Sequence, residues 1–67
     1  MNKFKPFQIV KHVGTGHLYK VRETPLEHSR LEHSGETYYK YEDIHSGNTW
    51  IRCKSEMEDG RFIELTD

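Results

Sequence analysis

The chain has 67 residues, 33% of them hydrophobic, 31% charged and 12% aromatic, with ten Lys/Arg against eleven Asp/Glu for a formal charge of −1. That length leaves room for one domain, which buries only about 60% of its unfolded surface and so must build its core from large rings. The balanced charge lacks the basic footprint of a nucleic-acid binder, and no apolar run approaches the ~20 residues of a membrane span.

The opening, MNKFKPFQIV, has no apolar h-region of a signal peptide, so a cytoplasmic protein is expected. Cys53 is the only cysteine, which excludes an intrachain disulfide. Residues 1–6 read as a flexible lead-in. In FQIVKHV, alternation places Phe7, Ile9 and Val13 on one side of a first strand, with Gln8 and His12 on the other. Gly14-Thr15-Gly16 supplies a tight turn into a second strand, HLYKVRE, in which Tyr19 and Val21 share a side.

Thr24 to Gly35 is the least strand-like stretch: Pro25 breaks a ladder, and the near-duplicate LEHSR/LEHSG carries alternating charge. It reads as a long loop. TYYKYEDI is a third strand, with Tyr39 and Tyr41 on one face and Tyr38 and Lys40 on the other. HSGN turns it into TWIRCK, where alternation sets Ile51 and Cys53 on the inner face and Trp50 and Arg52 opposite. SEME has the Ser-x-x-Glu form of a capping box and predicts one short helical turn. RFIEL is the last strand. GTGHLY, HSGETY and HSGNTW each place a glycine just before a β-former and an aromatic, which reads as recurrent hairpin chemistry.

Five strands, a long loop after the second and a helical turn before the fifth predict an all-β single domain over 1–67. The layout is that of a small SH3-like five-stranded barrel, because closure removes exposed sheet edges. An OB-like barrel is the alternative, but HSGN leaves no room for its usual helix between strands three and four.

GTGHLYKV, YYKYED and GNTWIRCKSEMEDGRF together resemble the small bacterial and phage proteins grouped as domain of unknown function 1653. Those carry a Gly-x-x-Tyr-x-Val hairpin, a later Val-x-Tyr strand and a Trp-Val-Arg-Pro-x-x-Met-Phe segment. Tyr19, Val21, Tyr41, Trp50, Arg52, Met57 and Phe62 match in order, while Cys53 stands where that family prefers proline and Glu58 where it prefers phenylalanine. The resemblance implies an SH3-like fold and no established activity. It also suits a phage-encoded protein acting on host machinery.

Candidate sites follow from residue chemistry. His12-x₄-His17 and His28-x₄-His33 have the spacing of half a zinc site, but the usual cysteine pair is missing, so they read as solvated loop residues and no metal or other cofactor is expected. Cys53 next to Arg52 and Lys54 has cationic neighbours, yet no orienting group or oxyanion hole accompanies it, and the chain reads as a non-enzyme. Glu56, Glu58 and Asp59 form an acidic cluster that reads as solvated surface. An outward face bearing Tyr38, Lys40, Arg52 and Trp50 is the candidate partner surface. Exposed aromatics beside cations cradle proline-rich peptides or stack nucleic-acid bases, and the neutral net charge places a protein partner ahead of nucleic acid. Oligomeric state is open at this level.

Overall fold

The computed structural model describes residues 2–65. Alternating β-formers produce four of its strands where the sequence places them: β1 (Ile9–His12), β2 (Leu18–Glu23), β3 (Tyr38–Asp43) and β4 (Thr49–Cys53). A short helix, α1 (Lys54–Glu56), runs into a widened helical turn, Met57–Arg61, before β5 (Phe62–Glu64). Gly60, at φ +106°, turns the chain out of that segment. All five strands form one antiparallel sheet in the order β4-β3-β2-β1-β5. β4 and β5 lie at opposite edges, and among the described residues no strand pairing closes one onto the other.

The recurrent glycines make one turn three times. Gly16, Gly35 and Gly47 all have φ between +69° and +78°. Each donates its N–H to the carbonyl four residues earlier: His12 (2.7 Å), Leu31 (2.8 Å) and Asp43 (2.8 Å). In each, the hydroxyl of the preceding residue (Thr15, Ser34 or Ser46) accepts the N–H two positions on at 3.2 Å. Two copies close the β1–β2 and β3–β4 hairpins. The third folds Leu31–Glu36 into a miniature hairpin inside the long loop after β2.

The core consists of Phe4, Val10, Val21, Tyr39, Tyr41, Met57 and Phe62, with Tyr19 packed against it. Three expectations change here. In β1 the core residue is Val10, whereas Phe7 is 65% exposed and Val13 is also exposed. Phe7 sits at φ +68°, so FQIVKHV is not one continuous strand and the alternation restarts in the opposite phase at Ile9. The lead-in is also seated. Phe4 is 1% exposed, its N–H donates to the Tyr39 hydroxyl (3.2 Å), and the Lys3 N–H donates to Glu58 Oε2 (2.8 Å); Met1 lies outside the described residues. Finally, the Ser55 capping box does not form. Cys53 is the N-cap of α1, no side chain caps it, and Ser55 lies inside the helix with its Oγ 3.4 Å from Cys53 Sγ.

Candidate functional site

The β3–β4 register decides which side chains share a face. Tyr39 lies opposite Arg52 and Tyr41 opposite Trp50, while Tyr38 lies opposite Cys53 and Lys40 opposite Ile51. Cross-strand partners in an antiparallel pair point to the same side. Because Tyr39 and Tyr41 fill the core, Trp50 and Arg52 lie on the core side, and Ile51 and Cys53 lie on the outer side. This reverses the expected facing of β4. The four candidate residues therefore split, with Tyr38 and Lys40 on the outer face and Trp50 and Arg52 at the rim of the core.

That rim is a continuous aromatic surface. Trp50 stacks on Tyr41 (ring centroids 6.0 Å, 28°) and meets Tyr19 edge-on at 5.9 Å. Tyr19 and Tyr41 both lie against Phe62 (5.9 and 5.4 Å), whose ring His12 meets edge-on at 5.0 Å. Trp50 remains 43% exposed. The Arg52 guanidinium lies 5.8 Å from the Phe62 centroid, donates to the Tyr41 hydroxyl (3.3 Å) and pairs with Glu56 (3.1 Å). The Tyr41 hydroxyl, then the Glu56 carboxylate, hold Arg52 more firmly in its charged form than usual, against the opposing effect of burial. Burial, then the nearby Asp43 carboxylate, raises the Tyr19 phenol. Asp43 itself accepts the His45 and Ser46 N–H groups (2.7 and 3.1 Å), which lower its carboxyl. The rim thus presents neutral aromatic faces with one fixed cation and one fixed anion.

The outer face is a charge ladder. Lys20, Arg22 and Lys40 lie there, but Arg22 pairs with Glu42 (3.6 Å) and Lys40 with Glu23 (3.8 Å). Arg52 is on the opposite side, so the basic residues do not converge into one stripe.

The other candidates are occupied locally. His12, expected to be solvated, packs on Phe62 and accepts the Thr15 N–H at Nδ1 (3.2 Å); His17 tilts against Tyr19. Among the described residues no group of three or more His, Cys, Asp or Glu side chains is placed to hold a metal ion. In the acidic cluster, Glu56 takes Arg52 and Arg61, Asp59 takes Arg61 (3.1 Å), and Glu58 accepts the Tyr39 hydroxyl at 2.5 Å. Burial, then the Glu58 hydrogen bond, pushes the Tyr39 phenol up to about 12. A cleft of about 450 Å³ lies between β4 and the turn Leu31–Ser34, lined by Ile51, Arg52, Cys53 and Glu56 on the strand side.

Tyr19 and Tyr41 belong to the rim and were not among the expected site residues. The signal was present: a tight turn from Asp43 to Asn48 fixes Tyr41 opposite Trp50. No described helix is long and apolar enough to cross a membrane. A scan against family models finds no match to the chain, and neither the curated proteins nor the solved structures yield a significant relative.

Proposed function

We propose that the chain is a small binding module of SH3-like barrel type that takes an extended, proline-containing protein segment on its Trp50 rim. The meander β1-β2-β3-β4 with β5 returning beside β1, a long loop after β2 and a helical turn before β5 support the barrel reading. The residues behind the resemblance to domain of unknown function 1653 support it as well. Tyr19, Val21, Tyr41, Trp50, Arg52, Met57 and Phe62 all belong to the core or to its rim. A likeness confined to the core speaks for a common fold and is silent on activity. On that footing the proposal extends to kinship with that family and to a phage-encoded protein acting on a host partner.

The observation that carries the binding reading is the half-exposed indole stacked on a buried tyrosine, with Tyr19 beside it and Arg52 held on the same side. A rigid aromatic surface loses little side-chain freedom on binding, and prolines pack flat against such rings. The second reading, a single-stranded nucleic acid, rests on Lys20, Arg22 and Lys40. It is disfavoured by the carboxylates that already pair with Arg22 and Lys40.

Trp50 is the only tryptophan, so its fluorescence reports on the rim directly. Titration with a panel of Pro-x-x-Pro peptides is expected to give a saturable blue shift that changes little with salt. Silence across the panel overturns the reading. Saturable quenching by oligothymidylate, with log K falling by about 0.7 per neutralised phosphate for each unit of log salt, would install the second reading in its place.

A further inference from the structure

The free edge of β4 is complementary to itself. The Asp43 N–H to Asn48 carbonyl bond (2.9 Å) and the Lys54 N–H to Thr37 carbonyl bond (2.8 Å) bracket the β3–β4 ladder. Between them Tyr41–Trp50 and Tyr39–Arg52 are the hydrogen-bonded pairs, and Glu42–Thr49, Lys40–Ile51 and Tyr38–Cys53 alternate with them. The backbone N–H and C=O groups of Thr49, Ile51 and Cys53 therefore point out of the sheet. Among the described residues no backbone hydrogen bond joins the Leu31–Ser34 turn to them, and the turn lies across a cleft of about 450 Å³.

The two edges of the sheet differ in how they are guarded. β5 is three residues long, and its Glu64 carboxylate accepts the Gln8 amide (2.8 Å). β4 is five residues long and pairs with β3 in unbroken register, with no proline, lysine or bulge to deter a neighbour. Its Trp50 and Ile51 are 43% and 54% exposed.

We propose that β4 is a homodimerisation strand, pairing antiparallel with β4 of a second copy about a twofold axis through Ile51. In that register Ile51 faces Ile51 of the second copy, and Thr49 faces its Cys53. Every outward N–H and C=O of the three residues is then satisfied, in the isologous form that a two-fold contact requires. On the outer side the two isoleucines cover each other. On the core side Trp50 of each copy lies directly opposite Arg52 of the other, so no like charges face each other across the seam. The outward backbone groups are satisfied in this alignment, and it avoids the register that would set Arg52 against Arg52. This inference rests on the β4 edge and not on peptide binding, although Trp50 flanks both surfaces.

Sedimentation equilibrium over a wide concentration range, without peptide, tests it. Wild type is expected to move from the chain mass to twice that mass. Ile51→Lys and Ile51→Glu place like charges at the axis on an exposed outer position, so each alone is expected to stay at the chain mass. Mixing the two in equal amounts is expected to restore the doubled mass, which only a contact at the axis allows. Wild type at the chain mass throughout overturns the proposal, as does dimerisation that either single variant leaves unchanged.

A second measurement reads the register itself. Residues at the axis have Cα atoms about 5.5 Å apart, inside the roughly 4.4–6.8 Å span of a disulfide. Ile51→Cys in a Cys53→Ser background is expected to oxidise to a covalent dimer, whereas Ile63→Cys in the same background, on the other edge, stays monomeric. Equal cross-linking of both overturns the proposal.

Discussion

Replacing Phe62 with alanine separates the core from its rim. Phe62 is 1% exposed and contacts His12, Tyr19, Tyr41 and the Arg52 guanidinium, so its ring joins β1, β2, β3 and β4 to β5. Truncating such a ring costs about 3–5 kcal/mol. A core in a domain of this length supplies roughly 3–5 kcal/mol in total. Phe62→Ala should therefore be largely unfolded at room temperature. Trp50 is 43% exposed, so its truncation scales to about 2–3 kcal/mol. Trp50→Ala should be destabilised yet retain a folded fraction. Urea denaturation followed by far-ultraviolet circular dichroism distinguishes the two variants. If Phe62→Ala melts within a few degrees of wild type, or proves more stable than Trp50→Ala, the assignment of core and rim is wrong.

Two further outcomes follow from the Tyr39 latch and the repeated turn. Tyr39→Phe leaves the buried Phe4 N–H without its acceptor and removes one of the two donors to Glu58, whose other donor is the Lys3 N–H, at a cost of about 1–3 kcal/mol. Because folding raises the Tyr39 phenol from 10.0 to about 12, its contribution is intact below pH 10 and is lost as pH rises through about 12; chemical denaturation across that window should show an alkaline fall that Tyr39→Phe flattens. Gly47→Ala forces a side chain into φ +78° with open space around it, so the penalty is purely conformational, about 1–2 kcal/mol, and should appear as a lower urea midpoint with an unchanged slope.

The strands, the long loop and the helical turn before β5 were legible because alternation, Pro25 and glycine placement are local signals. The facing of the strands was not. In β4, Trp50, Ile51, Arg52 and Cys53 offer one large apolar residue and one polar or small residue on each side, so composition alone cannot orient the strand. The turn that sets the register decides the matter. Phe7 misled for a related reason: a non-glycine residue at φ +68° interrupts the strand without any sequence mark. Phe4 could not be assigned to the core from the sequence either, since Tyr39, which accepts its N–H and meets its ring edge-on, lies 35 residues away along the chain. Tyr38 and Lys40 were grouped with Trp50 and Arg52 as neighbours in sequence pattern, and the pleat separates them.

The β1–β5 pairing has a kinetic consequence. Two of the repeated turns close their hairpins with contacts only a few residues apart, the kind that form in about 1–10 μs. The seam that brings Phe62 onto His12 and Glu64 onto Val10 spans some fifty residues, and its loop entropy must be met before any of its contacts is rewarded. Folding should therefore divide into fast formation of the local hairpins and a slower docking step in which β5 finds β1. As long as that step is pending, Val10, Tyr19 and Tyr41 lack the ring that covers them. On a ribosome the same order holds: the nascent hairpins wait, with their aromatic side uncovered, until residues 62 to 64 have emerged.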